Sequence, residues 1–407
     1  MARKRLYQED QYLISNSAKI TQIASVDGCD SIVCDCSVFF PEGGGQPSDV
    51  GTVSRGDVLY NVIRAEDTSL EDDVWHITDA PAGTFAVGDE VELTIDWDAR
   101  FVNMQRHLGE HMLTGAFNNL FGGVNKGFHM GEDYITIDID LDGRMLTEEE
   151  LDMAERMVND AITADLPVHI DYFDSYEESL VMPVRKKVPH DGEVSVVTVG
   201  DLPEPYDCIA CCGTHPSSSG QVGLVAIYKH EPNKGMNRIY FDAGRHAREH
   251  LHNEMRLLTD IANKNSCKTV DLARKLEADA DAVAALKAQM ARMSGYIKEA
   301  EKDKILARLA DSKATSYELD LVTVDDLLKL GFAVIGETEG CFLALLHNET
   351  KTALLFSSGD AKCGALIKEH AAEFGGRGGG RDDNARAVFQ SDKDMRAFAE
   401  KLLKVVE

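Results

Sequence analysis

The first 98 residues alternate short apolar segments with polar turns. The segments at 31–40, 51–63 and 91–96 contain most of the local Val, Ile, Leu and Phe, and Gly, Asp and Pro separate them. Short apolar segments between turn residues are typical of strands in an antiparallel sheet. The pattern therefore predicts a small β-barrel over residues 1–98.

A helical period follows at 100–121, and its apolar residues recur every four positions: Met104, Leu108, Met112 and Ala116. That spacing places them on one stripe of a helix. Strand-like segments come next, at 134–141, 168–173, 194–199, 221–228 and 238–241. A helix followed by such strands predicts an α+β domain over residues 99–244.

Residues 245–312 are almost purely helical in pattern, and their apolar positions step by three and four: Val283, Leu286, Met290, Met293, Ile297 and Ala300. Such steps are typical of a coiled-coil seam. Because residues 263–266 interrupt the pattern, two helices folded as a hairpin are expected rather than one rod. The seam is interpreted first as the inside of this hairpin and second as a homodimer contact, with the C-terminal region as another dimer surface.

The last block, residues 313–407, alternates strand and helix. Strands are predicted at 319–324, 341–346 and 353–356, and helices near 361–374 and 392–405. A glycine-rich loop is predicted between those helices, at 375–381. The whole chain is thus expected to be α+β, with an N-terminal β-barrel, an α+β domain, a helical hairpin or coiled coil, and a small C-terminal α/β domain.

Charge and cysteine content narrow the class of function. With 42 basic and 70 acidic residues the net charge is −28, which argues against coating nucleic acid through a general positive field. Residues 368–407 hold eight of each sign, so RNA contact is expected to be weak and led by the C-terminal end. No apolar run reaches membrane-spanning length, no export signal is expected, and nine cysteines suit a reducing cytoplasm better than a disulfide framework.

Two short motifs predict a metal site. His107 and His111 are four residues apart on the 100–121 helix, so both imidazoles project from one face. Downstream, Cys211 and His215 supply a thiolate and a third imidazole, and N₃S ligation is typical of zinc. Each motif alone is weak, but together they favour Zn²⁺. Cys212 is an alternative ligand, in a C-x-x-H arrangement.

The segment 107–111 also matches the inverted zinc-peptidase motif H-x-x-E-H, in which Glu110 would be the general base. That interpretation needs a third metal ligand, usually a carboxylate. In this chain Cys211 and His215 already bring the number of ligands to four. A closed set of four protein ligands is, in turn, the usual form of a structural zinc site. A zinc peptidase and a tRNA-binding module with a structural zinc therefore remain as alternatives.

With these motifs in place, the chain resembles the freestanding alanyl-tRNA editing proteins of the long AlaX type. The resemblance rests on FFPEGGGQPSDVG (39–51), MQRHLGEHML (104–113), CCGTH (211–215), RIYFDAG (238–244) and GGRGGGRDDNARAVF (375–389). The same modules form the editing and C-terminal parts of alanyl-tRNA synthetase. The resemblance implies a zinc-dependent hydrolase that removes serine, or glycine, from mischarged tRNA for alanine, with the four metal ligands carried over.

The resemblance also implies roles for further residues. Gly44 and Gln46 would lie at the mouth of the editing pocket, with Glu110 a candidate base. Synthetases often have Gln-Lys-Gly-Ser where this chain has 125–128, and commonly have Gly in place of Cys212. The grip on the serine hydroxyl is therefore assigned to Asn125 and His129. In the C-terminal, DHH-associated domain, expected tRNA contacts are Arg377, Gly378, Gly379 and Arg381.

Overall fold

The computed structural model describes residues 4–67, 73–187 and 191–406. The chain divides into two compact units, Met1–Asp260 and Ile261–Glu407. The finer division into four domains stays a prediction. Among the described helices, none combines the length and apolar character needed to cross a membrane.

The N-terminal part is a closed barrel with the strand order β1-β2-β5-β4-β3-β6. Its strands are β1 (Ser15–Val26), β2 (Cys29–Cys34), β3 (Gly51–Arg55), β4 (Val58–Asp67), β5 (Val74–Pro81) and β6 (Glu90–Ile95). Alternate side chains of β5 are buried, as expected of a strand with one face on a core. The predicted barrel is confirmed, although the sequence pattern missed β1 and β5.

The strand predicted at 31–40 is too long, because β2 ends at Cys34. The apolar residues that follow, Val38, Phe39 and Phe40, are at most 2% exposed. Val38 and Phe39 belong to the barrel core and Phe40 packs against Tyr7, although all three lie in a loop. An apolar run signals burial, and here burial does not require a strand.

Helix α1 (Trp97–Phe121) is the central element of the first unit. Asp96 begins it by accepting a hydrogen bond from the backbone N–H of Ala99, and Gly122 ends it with a φ of 70°. The predicted stripe of Met104, Leu108, Met112 and Ala116 is fully buried. The rest of the helix surface between Met104 and Phe117 is also largely buried. Helix α1 therefore carries polar side chains, among them His107, Glu110 and His111, into the interior.

Two sheets and two further helices surround α1. The four-stranded sheet has the order β12-β13-β8-β7, and the three-stranded sheet has the order β11-β10-β9. The elements are β7 (Val124–Met130), β8 (Ile135–Asp140), α2 (Glu148–Thr163), β9 (Val168–Phe173), α3 (Tyr176–Ser179), β10 (Val194–Val199), β11 (Asp207–Ala210), β12 (Val225–Asn233) and β13 (Met236–Ala243). Helix α1 contacts β7, β8 and β13 of one sheet and β11 of the other. It thereby brings its polar residues to the place where the two sheets approach.

Two long helices follow, α4 (Gly244–Lys264) and α5 (Leu272–Asp311), and the interruption between them lies close to the predicted break. Four residues of the predicted seam are between 48% and 68% exposed: Val283, Leu286, Met290 and Met293. The interpretation of this seam as the inside of a hairpin therefore gains no support from burial. The dimer contact stays a prediction.

The second unit contains a five-stranded sheet with the order β14-β15-β16-β18-β17. Its elements are β14 (Ala314–Glu318), α6 (Val324–Ile335), β15 (Phe342–His347), β16 (Thr352–Ser357), α7 (Cys363–His370), β17 (Arg377–Gly380), β18 (Asn384–Val388) and α8 (Asp392–Val406). The strands predicted at 341–346 and 353–356 are confirmed as β15 and β16. The predicted α+β class is likewise confirmed for the chain as a whole.

Two predictions in this unit are wrong. The strand expected at 319–324 is irregular, since β14 ends at Glu318 and Thr323 begins α6 by accepting from the N–H of Asp326. The glycine-rich loop expected at 375–381 contains strand β17, at the end of the sheet order. A Cβ on Gly378 would lie 2.0 Å from the carbonyl oxygen of Arg386. Glycine here permits close strand pairing, which is a different use from a flexible loop.

Candidate functional site

Four side chains of the first unit converge on one point: His107, His111, Cys211 and His215. The two histidines of α1 come from adjacent turns of its buried face, and the other two residues follow β11. Their ligand atoms all lie within 4.8 Å of one another. Cys211 Sγ is 3.4 Å from His107 Nε2 and 3.7 Å from His215 Nε2. The structure thus brings together the four residues that the sequence predicted as ligands.

The side chain of Gln46 fixes the orientation of His107. Gln46 Oε1 lies 2.8 Å from His107 Nδ1 and also accepts from the backbone N–H of Thr214 at 3.1 Å. Its Nε2 donates to Thr214 Oγ1 at 2.8 Å. Since a carbonyl oxygen can only accept, the proton of His107 lies on Nδ1 and Nε2 keeps its lone pair. That lone pair points to the side on which Cys211 lies.

The remaining imidazoles have buried nitrogens without partners. Both ring nitrogens of His111, and Nδ1 of His215, make no hydrogen bond among the described residues, although Glu110 Oε2 lies 3.3 Å from His111 Nδ1. A buried polar atom left unpaired costs about 1–3 kcal/mol. A metal ion that accepts a lone pair from each ring would remove part of that cost, so the donor set fits a metal site.

The protonation states fit a metal site as well. Burial lowers the pKa of His107 to about 4, and burial together with the neighbouring His107 and His215 lowers that of His111 well below its usual value. These imidazoles are therefore neutral near pH 7, as ligands must be. Burial raises the pKa of the Cys211 thiol, so an incoming cation has to displace the thiol proton.

Gly213 is required by the packing of this loop. A Cβ at this position would lie 2.4 Å from His107 Nδ1 and 2.9 Å from Gln46 Oε1. Real Cβ atoms do not approach other atoms so closely. The glycine between Cys211 and His215 therefore lets the loop close against the ring that it helps to position.

Glu110 is buried beside the four ligands. Its Oε1 accepts from Thr114 Oγ1 at 2.7 Å and from Asn125 Nδ2 at 2.8 Å, and its Oε2 lies 3.3 Å from His111 Nδ1. Burial raises the pKa of this carboxyl group, and Arg185 opposes the shift. Glu110 can therefore either orient His111 or take up a proton in the cleft.

A cleft of about 460 Å³ opens onto three of the four converging side chains, His107, His111 and Cys211, and it is large enough for a small ligand. Of the residues expected to bind substrate, Gly44 and Asn125 line it together with Glu110. Gln46 is fully buried behind His107 and does not line the cleft. His129 is exposed on β7 and also lies away from the lining. The structure therefore places Gln46 where it can position His107 and places His129 outside the cleft lining, and the substrate-binding roles expected of both stay predictions.

The competing ligand Cys212 occupies a different place. It is exposed at the cleft, and its Sγ would lie 3.1 Å from a Cβ on Gly44. Cys211 alone of the two belongs to the group of converging ligand atoms. The structure also does not favour the zinc-peptidase interpretation of H-x-x-E-H. That interpretation needs a carboxylate as the third ligand, whereas Cys211 and His215 complete the set around His107 and His111.

Sequence reasoning assigned no role to three cations on the cleft, Lys126, Arg185 and Lys186. Arg185 Nε donates to Asp207 Oδ1 at 2.7 Å, and Lys186 Nζ donates to the carbonyl of Asn125 at 3.4 Å. The run Arg185-Lys186-Lys187 in so acidic a chain was a signal that could have identified the last two.

The residues expected to contact tRNA lie in the second unit. Arg377, Gly378 and Arg381 are exposed, and Gly379 is partly so. Three of the four belong to β17, and Arg381 follows that strand directly. They form an exposed strip on the sheet's last strand, and their role stays a prediction.

Comparison with known families and proteins agrees with these features. Residues 7–99 match the family model described as "tRNA synthetases class II (A)". Residues 194–240 match the model described as "Threonyl and Alanyl tRNA synthetase second additional domain". The second match contains Cys211 and His215.

Individual relatives cover more of the chain. It is 28% identical over 395 residues to the alanyl-tRNA editing protein AlaX-L of Pyrococcus horikoshii. The matched region covers 95% of this chain and 95% of that protein. It is 28% identical to the alanine–tRNA ligase of Pyrobaculum aerophilum, over 96% of this chain but only 43% of the ligase. It is also 32% identical over 253 residues to the alanyl-tRNA editing protein Aarsd1 of Bos taurus, covering 60% of this chain and 53% of that protein. The predicted resemblance to the long AlaX-type editing proteins is confirmed.

Proposed function

We propose, from the likeness to alanyl-tRNA editing proteins and from the cleft above the four converging ligands, that this protein is a zinc-dependent aminoacyl-tRNA deacylase. It removes serine, or glycine, wrongly attached to tRNA for alanine. The observation that carries the proposal is the convergence of the ligand atoms of His107, His111, Cys211 and His215 within 4.8 Å of one another, beside an open cleft that the first three line.

Zinc is the ion that an N₃S set of this kind prefers. Held by all four side chains it would shape the end of the cleft, and with one of them displaced by water or by the ester it would polarise the oxygen that replaces that side chain. His107, His111, Cys211 and His215 would hold it. Gln46 supports this role by keeping the proton of His107 on Nδ1. The protein's own contribution is therefore a rigid, buried set of donors at one end of the cleft.

The reaction is hydrolysis of an ester. The oxygen of water forms a bond to the carbonyl carbon, the bond from that carbon to the ribose oxygen breaks, and the ribose oxygen takes a proton. Glu110 is the proposed base, since it lines the cleft and its raised pKa makes it a stronger proton acceptor than an exposed carboxylate. Thr114 and Asn125 hold its Oε1 in place.

Asn125 is the proposed contact for the serine hydroxyl. Its Nδ2 is engaged with Glu110 and Thr114, and its Oδ1 accepts from the backbone N–H of Gly127 at 3.0 Å. A carbonyl oxygen has a second lone pair, which the hydroxyl of serine can use. Alanine lacks that hydroxyl and leaves only this second lone pair without a donor, which favours serine.

The remaining parts of the proposal concern RNA and compartment. Arg377, Gly378, Gly379 and Arg381 form the exposed strip in the second unit that would contact the tRNA. All nine cysteines are free, which supports action in a reducing cytoplasm.

The test is deacylation of seryl-, glycyl- and alanyl-tRNA for alanine, by wild type and by Cys211→Ala, with Cys212→Ala as the matched control. Loss of serine or glycine with alanine retained, abolished in Cys211→Ala only, is the expected result. A wild-type protein that binds zinc and tRNA but leaves all three esters intact would instead indicate a binding module with a structural zinc.

A further inference from the structure

Three cationic side chains line the cleft above the four ligands: Lys126 on β7, and Arg185 and Lys186 between α3 and β10. The chain as a whole carries a net charge of −28, so a group of three cations at its cleft departs from its average surface. Two of them, Lys126 and Lys186, are exposed to solvent. They are thus available to a ligand that enters.

The cleft also has two carboxylates, Glu110 and Glu193. Glu110 is only 4% exposed and its oxygens face Thr114, Asn125 and His111. It therefore belongs to the ligand end of the cleft. Glu193 is exposed and the buried Asp207 is paired with Arg185. Set against Lys126, Arg185 and Lys186, these two carboxylates leave the outer wall with a small excess of positive charge.

The segment that carries Arg185 and Lys186 is held in place by two attachments. The backbone N–H of Arg185 donates to the carbonyl of Cys208 at 2.9 Å, and its guanidinium is paired with the buried Asp207 at 2.7 Å. Lys186 Nζ reaches the backbone of β7 at Asn125, next to Lys126. The cations are therefore brought together by the fold and do not have to be ordered by a ligand.

The substrate's chemistry identifies what such a wall would bind. The amino acid of an aminoacyl-tRNA carries an amino group and no negative charge, so cations gain nothing from it. The nearest negative charges are the phosphodiesters of the last nucleotides, one nucleoside away from the ester. We propose that Lys126 and Lys186, with Arg185 behind them, bind the phosphates of the single-stranded 3′ end of the RNA while the ester lies at the four ligands.

This inference rests on the proposed function for the position of the ester, and it adds the part of the substrate that the cleft recognises. It also explains how so acidic a protein can bind RNA. A few phosphate contacts at the cleft, in addition to the strip proposed in the second unit, give weak binding with a small dependence on salt. A general positive surface is not needed.

The experiment measures binding of an uncharged RNA hairpin with a single-stranded CCA end to the full-length protein, by fluorescence anisotropy at 50 and 200 mM salt. The variants are Lys126→Ala/Lys186→Ala and, as control, Lys19→Ala, an exposed lysine of the barrel strand β1. Wild type neutralises two single-strand phosphates that the double variant does not. Raising the salt from 50 to 200 mM should therefore lower the affinity of wild type by a factor about 7 times larger than the factor for the double variant. Lys19→Ala should behave as wild type.

Equal affinity and equal salt dependence in the double variant and in Lys19→Ala would overturn the proposal. So would wild-type binding that is unchanged when the CCA end is removed from the hairpin. Because the RNA is uncharged, these results do not depend on hydrolysis. A protein that binds the CCA end as expected but never deacylates seryl-tRNA would refute the proposed function alone.

Discussion

Gln46 and His107 form a hydrogen bond of 2.8 Å that joins the loop between β2 and β3 of the barrel to the central helix α1. The bond is made on the ring nitrogen away from Cys211, whose Sγ lies 3.4 Å from the other nitrogen. Gln46 is also bonded twice to Thr214, in the loop between Cys211 and His215. One amide thus aligns residues from three parts of the chain.

The first prediction concerns this amide. Gln46→Ala removes the acceptor that fixes the His107 tautomer, and loss of such a partner typically weakens metal binding by about 10- to 100-fold. Zinc affinity is measured by competition with a chromogenic chelator, and Gln22→Ala, at an exposed position of β1, is the control. Unchanged affinity in a folded Gln46→Ala protein would contradict a positioning role.

The second prediction separates the adjacent cysteines. Cys211→Ala should lose bound zinc because its Sγ is one of the four converging ligand atoms. Cys212→Ala should keep one zinc per chain, since its thiol faces Gly44 and the open cleft. Metal content of the purified proteins, measured by mass spectrometry, decides between them. The opposite pattern would make Cys212 the ligand.

The third prediction tests Glu110. In Glu110→Gln, the carbonyl oxygen can still accept from Thr114 and Asn125, so the fold should persist while the proton acceptor is lost. Removing a general base typically lowers kcat on the order of 100-fold. Single-turnover deacylation of seryl-tRNA gives this rate, and Glu193→Gln, at an exposed residue of the same cleft, is the control. A rate equal to wild type would exclude Glu110 as the base and leave it the task of orienting His111.

How far the sequence predicted the site depends on the kind of information. A helical spacing and a short loop predicted His107, His111 and His215 with one of two adjacent cysteines, and only the resemblance to the editing proteins favoured Cys211 over Cys212. The position of Gln46 was not predicted, because a hydrogen bond between residues 61 positions apart has no local signature. The strip at β17 was mistaken for a loop for a related reason. Glycine reports backbone freedom and close approach alike, and only the partner strand distinguishes them.

The last prediction follows from a buried histidine of the barrel, His76. Its ring lies 2.7 Å from Ser37 Oγ and 3.1 Å from the carbonyl of Ile32, and burial lowers its pKa to about 4 from the ordinary 6.5. Because the folded pKa is the lower one, protonation favours the unfolded chain. The stability of the neutral form is present above pH 6.5 and is lost as the pH falls towards 4. Between pH 7 and pH 5 the free energy of unfolding of the wild type should fall by about 2 kcal/mol more than that of His76→Gln. The glutamine keeps polar contacts but does not titrate. Urea unfolding of both proteins at the two pH values measures this difference. The contribution of the carboxylates to the pH dependence is the same in both proteins and cancels in the comparison. If the two proteins lose stability in parallel, His76 is not the group that makes the barrel sensitive to acid.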